Sequence, residues 1–170
     1  HMTQLIEDLL AYSRMERRGM QHIEVDVRKI LDTVLEEKHA EVTRRGVQTQ
    51  VELDAMLVHA DPEGLTMALR NLIDNALKFT RDTPQALIQI SGQRSNDAVI
   101  ISVTDNGIGF DMRFHDRVFD IFQRLQRAEE FPGTGVGLAI VHKAVQRMGG
   151  RVWAESEPGQ GASFFVELPS

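Results

Sequence analysis

Two asparagines four residues apart, Asn71 and Asn75, interrupt the otherwise apolar stretch "NLIDNALKF" (71–79), and Lys78 follows one turn further on. On a helix these side chains share one face. An unpaired amide buried in a core costs roughly 1–3 kcal/mol. Such a polar stripe therefore either bridges to neighbouring loops or meets a ligand. An amide oxygen is a hard, neutral ligand that suits Mg²⁺, an ion commonly held by few protein groups together with phosphates and water. Lys78 would meet a phosphate as a point charge.

A second group lies in "TDNGIGF" (104–110). Asn-Gly after an alternating strand is a hairpin signal, but the following "IGFDMRFHD" does not alternate as a returning strand would. Asp105 instead ends an apolar strand, beside Gly107 and Gly109. Glycines at that spacing permit positive φ and close ligand approach, and the carboxylate can accept from an exocyclic amine. A third group is "GTGVGLAIVHKAV" (133–145), where Gly133, Gly135 and Gly137 lead into a helix. Free N–H groups and the positive end of the helix dipole meet there. It is either a phosphate site or a flexible connection. It is neither the dinucleotide fingerprint, which needs glycine where Leu138 stands, nor a P-loop, because no Gly-Lys-Ser/Thr follows.

The elements that must position these groups are readable from periodicity. Residues 3–18 form an amphipathic helix with Leu5, Ile6, Leu9, Leu10 and Met15 near one stripe. Its apolar surface either meets a missing partner or folds back on the core. "HIEVDV" (22–27) alternates as a strand, and Asp26 caps a helix running to Arg45, with Ile30, Leu31, Val34 and Leu35 inward. Gly46 stops that helix, and "VQTQVEL" (47–53) is a strand. A short apolar stretch, 57–60, leads to Asp61 as N-cap and Pro62 at the first helical position of a helix reaching Phe79. "ALIQISGQ" and "AVIISVTD" are strands around a turn at Ser95-Asn96-Asp97. Residues 106–134 are polar and irregular, with Asp116–Arg127 the best helical stretch; a long irregular segment inside a domain is usually functional or mobile. A helix from about Gly135 to Met148 ends at Gly149-Gly150. "RVWAES" and "ASFFVEL" make a final hairpin. Hairpin strands mixed with long helices predict an α+β sandwich, with helices on one face of a mixed sheet, and not a doubly wound fold.

At 170 residues and 42% hydrophobic composition, one sizeable core is expected. A formal net charge of −6 argues against nucleic-acid binding as the main function. The absence of cysteine excludes disulfides and thiolate metal sites and fits a cytoplasmic location. No apolar run approaches the length of a membrane span. His1-Met2 is expected to be a tag scar, and the chain a piece of something longer.

Together the three groups resemble the ATP-binding superfamily known as GHKL or Bergerat-fold, most closely the catalytic domain of sensor histidine kinases and in particular those attached to phytochromes. "NLIDNALKF" looks like the N box, "DNGIGF" the G1 box, "VFDIFQRL" (118–125) the F box and "GTGVGLAI" the G2 box. The resemblance covers about residues 20–169. It implies a two-layer sandwich in which a mostly antiparallel sheet of about five strands carries about three helices on one face, plus the N-terminal helix. Residues 21–170 would be the catalytic domain. Residues 3–20, with "LIEDLLAYSRM", would be a linker and the end of the dimerisation and phosphoacceptor helix.

The resemblance also implies roles. Asn75 would coordinate Mg²⁺, with Asn71 beside it and Lys78 toward the phosphates of ATP. Asp105 would accept from the adenine amine while Gly107, Gly109 and Phe110 form the loop around the base. Residues 111–134 would be a lid anchored by Phe119 and Phe122, from which Arg127 and Arg124 reach the phosphates. Gly133, Thr134, Gly135, Val136, Gly137 and Leu138 would hinge that lid and present N–H groups. Ser163, in the last strand, would sit near the adenine. Gln123 and Gln126 depart from the acidic or aromatic residues frequent in such lids.

ATPase branches of the superfamily place a water-activating glutamate four residues before the metal-binding asparagine. Here that position is Asn71, which has no useful basicity at neutral pH, so a kinase is expected rather than a hydrolase; a degenerate nucleotide-binding module is the remaining alternative. The histidines are His1, His22, His39, His59, His115 and His142. Only His115-Asp116 superficially resembles a phosphoacceptor box, and it falls inside the expected lid. The chain should bind ATP without autophosphorylating alone, act on a histidine of its own dimerisation domain, serve a response regulator through the full-length kinase, and be monomeric or weakly associated through residues 3–18.

Overall fold

The structure is a computed structural model and describes residues 2–17, 19–110, 112, 119 and 137–170. The described elements run α1 (Met2–Arg17), β1 (Ile23–Asp26), α2 (Val27–Arg45), β2 (Gln48–Glu52), β3 (Leu57–Ala60), α3 (Pro62–Phe79), β4 (Leu87–Ser95), β5 (Ala98–Asp105), α4 (Gly137–Arg147), β6 (Arg151–Ser156) and β7 (Ala162–Pro169). A five-stranded sheet has the order β2-β4-β5-β7-β6. Its β2–β4 pair is parallel and the other neighbours are antiparallel. The helices lie on one side of this sheet, with α3 against α2 and α4, and α1 against α4. The expected sandwich is therefore present. One further pairing joins β1 and β3 into a separate antiparallel ribbon; the stretch 57–60 is a strand because it has a partner over thirty residues away.

Local chemistry explains the helix boundaries. Asp26 accepts from the Arg28 N–H and also from the Met56 N–H, so one carboxylate starts α2 and pins the approach to β3. Gly46 ends α2 in the left-handed conformation at φ +69°. Asp61 accepts from the Gly64 N–H at 2.9 Å and starts α3, with Pro62 in its first turn. At the other end of α3, the Arg45 guanidinium donates to the Leu77 carbonyl at 2.7 Å, and the buried Thr80 hydroxyl donates to the Ala76 carbonyl. A cation on these last carbonyls complements the negative end of the helix.

Alternation sets the two faces of the sheet. Ile88 and Ile90 of β4, Val99, Ile101 and Val103 of β5, and Phe164, Val166 and Leu168 of β7 point into the core with α3's Leu65, Leu69, Leu72, Ile73 and Leu77. The other face mixes hydroxyls with rings: Ser91 is bonded to Ser102 and Thr104 to Ser163 across strands, and Trp153 stacks on Phe165. Asp105 is the exception on the inner face. It continues the buried parity of β5 as a carboxylate only 4% exposed.

Candidate functional site

The C-terminal end of α3 and the loop after β5 are joined directly. Phe79 sits in the last helical position, and its carbonyl accepts from the Ile108 N–H at 3.2 Å. A Cβ at Gly107 would collide with that same carbonyl oxygen. Glycine is thus required for the loop to lie against the helix end. Asn106 does not make a hairpin turn; its amide accepts from Leu87 N–H and donates to the Gln85 carbonyl, tying the loop to the start of β4. Gly109 adopts φ +66°, and a side chain there would meet the Glu157 carbonyl. The Phe110 ring is 2% exposed and packs on Phe164 with centroids 6.1 Å apart. It supports the loop from the core side.

Asp105 closes the bottom of this loop. One carboxylate oxygen accepts from the Gly107 N–H at 2.9 Å, and the Ala162 N–H donates to the carboxylate as well. Burial raises its pKa from 3.8 to about 6, while these two backbone donors pull the other way. The group is an acceptor at neutral pH that has given up much of its water.

On α3 the two asparagines divide. Asn71 donates from Nδ2 to the Met67 carbonyl at 2.8 Å, and its Oδ1 lies 3.2 Å from where a Cβ on Gly137 would stand. Gly137 opens α4 as described, so Asn71 sits at the junction of the two helices. Asn75, one turn on, has the only buried side-chain nitrogen or oxygen among the described residues without a hydrogen-bond partner, Nδ2. The Asn75 side chain as a whole is half-buried, and its Oδ1 is not among the buried atoms without a partner. Lys78 lines a cleft of about 500 Å³ between α2 and α3 with Arg44, Arg45, Asp74 and Arg81. Among the described residues no group of three or more His, Asp or Glu side chains could hold a metal ion.

Ser163 needs correcting. β7 pairs with β5 so that Asp105 stands opposite Ala162 and Thr104 opposite Ser163. Ser163 is consequently on the outer face, its hydroxyl 2.8 Å from that of Thr104; the residue of β7 beside Asp105 is Ala162. Leu138 packs against the core from the first turn of α4. Phe119 meets Phe164 edge-on at 6.1 Å and lies near His142. Phe122, Gln123, Arg124, Gln126, Arg127, Gly133, Thr134, Gly135 and Val136, together with His115 and Asp116, lie outside the described residues. Sequence reasoning missed Ser156 and Gly161. Gly161 has φ +87°, and a Cβ there would strike the Asp105 carbonyl oxygen; its place in a glycine-bearing turn before a strand was a usable signal.

Residues 60–170 match a family model described as histidine kinase-, DNA gyrase B-, and HSP90-like ATPase. A phytochrome-like protein, Cph1, from Synechocystis sp. is 38% identical over 169 residues, which is 99% of this chain and 22% of that protein. Cyanobacterial phytochrome A from Nostoc sp. is 39% identical over 170 residues, again 99% of this chain and 22% of the relative. The chain thus spans less than a quarter of the length of these relatives. Among solved structures, a mycobacterial sensor histidine kinase, MprB, aligns with a TM-score of 0.75 at 27% identity, covering 87% of this chain and 97% of that one. Full-length ShkA in complex with AMPPNP aligns with a TM-score of 0.82 at 29% identity, covering 99% of this chain and 36% of that one. No helix among the described residues is long and apolar enough to cross a membrane.

Proposed function

Because the chain belongs to the histidine kinase-, DNA gyrase B- and HSP90-like ATPase family, we propose that residues 21–170 are the ATP-binding catalytic domain of a sensor histidine kinase. Such a domain donates the γ-phosphate of ATP to a histidine on a separate dimerisation domain of the same protein. Residues 3–20 are then the end of a dimerisation helix with its linker; the exposed Ile6 and Leu10 of α1 support this assignment. The full-length kinase would pass the phosphoryl group to a response regulator.

The observation that carries the reading is the link between Phe79 and Ile108. It ties the end of α3, the helix that carries Asn75, to the loop that follows the buried Asp105. Asp105 accepts from the adenine amine, and its loss of water makes that hydrogen bond worth more than it would be in solvent. Gly107 and Gly109 keep the loop free of side chains where the base approaches. Asn75 fits a Mg²⁺ site by its donor chemistry: Oδ1 is a hard, neutral oxygen, Nδ2 beside it has no hydrogen-bond partner, and Mg²⁺ is commonly held by few protein groups. Bound Mg²⁺ would supply charge stabilisation on the phosphate oxygens. Lys78, with Arg127 and Arg124, contributes positive charge, and the N-terminal end of α4 at Gly137 offers N–H groups.

Transfer to histidine fits better than hydrolysis. Asn71 is neutral and its amide nitrogen is already engaged with Met67, so it activates no water. A histidine is itself a nucleophile, and the nucleotide domain need mainly position and stabilise charge. ShkA, 29% identical, is known in complex with AMPPNP, which supports a triphosphate ligand here.

Titration calorimetry should detect Mg-ATP binding to the folded chain. Absence of binding would remove the nucleotide reading. Labelled ATP should then be supplied with and without separately prepared dimerisation helices. Acid-labile label on the helices is the expected result. Rapid phosphate release by the chain alone would point to a hydrolase.

A further inference from the structure

We propose that Ser156 is a positioning residue that sets nucleobase selectivity in the proposed nucleotide site, an inference that rests on that reading. Ser156 is the last residue of β6, on the far side of the loop from α3. Its hydroxyl donates to the Gly161 carbonyl at 2.6 Å and accepts from the Phe110 N–H at 2.8 Å. One rotor therefore serves both partners in a single orientation.

The turn between β6 and β7 forms the second wall of the loop. Gly159 N–H donates to the Ile108 carbonyl at 2.6 Å, and the Glu157 carbonyl abuts Gly109. These ties run through backbone atoms. The Ser156 hydroxyl adds a side-chain tie, and it acts at the residue that ends the glycine-bearing stretch. Gly161, at the other end of the same hydroxyl, lies directly against the Asp105 backbone. Ser156 thus couples the loop that would flank a base to the strand position that carries its hydrogen-bond acceptor. A hydroxyl that only braced the hairpin turn would need no contact with Phe110.

The consequence is a selectivity effect. Freed from Ser156, the loop can move relative to Asp105, and a site that no longer holds the base against its acceptor distinguishes amino from oxo purines less well. Contacts to the phosphates, which lie on α3 and α4, do not depend on this hydroxyl.

The test compares wild type, Ser156→Ala and Ser156→Thr by calorimetry with Mg-ATP and Mg-GTP, and by amide hydrogen exchange without nucleotide. Ser156→Ala should weaken ATP roughly tenfold, change GTP little and so narrow the ATP-to-GTP preference. It should also speed exchange at the Phe110 amide. Ser156→Thr, which keeps a hydroxyl, should restore both. An equal loss of ATP and GTP, or an unchanged ratio with unchanged Phe110 exchange, overturns the proposal. If wild type binds no Mg-ATP, the nucleotide reading fails and the selectivity role with it, whereas Phe110 exchange still reports separately whether the clamp exists.

Discussion

Replacing Asp105 with asparagine should make the unliganded protein more stable while disabling it. A carboxyl whose pKa moves from 3.8 to about 6 on folding prefers its neutral form in the folded chain by about 3 kcal/mol. The folded value lies above the unfolded one. Between about pH 4 and pH 6 the folded chain therefore keeps a proton that the unfolded chain has released. Stability falls as pH rises through that window and is flat above it, so at pH 7.5 the whole cost is present. The substituted amide would carry no charge, but it puts an NH2 group in place of one carboxylate oxygen and so offers a weaker acceptor set to Gly107 N–H and Ala162 N–H. The weakened hydrogen bonds return about 1–2 kcal/mol of the gain. The net expectation at pH 7.5 is stabilisation by about 1–2 kcal/mol, or a Tm higher by roughly 2–8 °C. Denaturant melts of both proteins without nucleotide, at pH 4.5, 5.5, 6.5 and 7.5, measure it; the advantage of Asp105→Asn should shrink toward the acidic end. Mg-ATP affinity should fall at least about tenfold. A variant that is less stable than wild type at pH 7.5, with the same dependence on pH, would refute the reasoning.

Two further substitutions separate binding from folding. Asn75→Leu removes a side chain whose buried Nδ2 has no partner, so unliganded stability should hold or rise by about 1 kcal/mol, while the Mg²⁺-dependent part of nucleotide affinity disappears in calorimetry with and without the ion. Gly161→Ala forces a side chain into φ +87° and against the Asp105 carbonyl; it should destabilise by roughly 2–3 kcal/mol, seen as a lower melting temperature together with weakened nucleotide binding.

What could be read without coordinates were the features specified by neighbours in sequence. Asp26, Gly46, Asp61 and Pro62 each act within a turn or two of their own position, and each marks the helix end expected of it. The polar stripe Asn71, Asn75 and Lys78 was visible for the same reason, since helical period alone defines it. Pairings across long separations were not. The stretch 57–60 became a strand only through β1, and β2 joins the sheet in parallel beside β4. Ser163 shows how narrow the margin is in a strand. A shift of one residue reverses the face, and counting back from the core residue Phe164 would have turned Ser163 outward. Ser156 had no local signature, because its importance arises from two partners, Phe110 and Gly161, that folding delivers to it.

The register of β5 against β7, with Asp105 opposite Ala162, has a consequence for how this molecule can change. Backbone crowds both sides of this carboxylate: a Cβ at Gly107 would meet the Phe79 carbonyl oxygen, and one at Gly161 the Asp105 carbonyl oxygen. Substitution is therefore absorbed most readily at the outward register positions, where Thr104 and Ser163 face each other away from the core. At the inward positions any larger residue has to displace main chain, so the pair Asp105 and Ala162 can drift in sequence only together with the glycines that flank it.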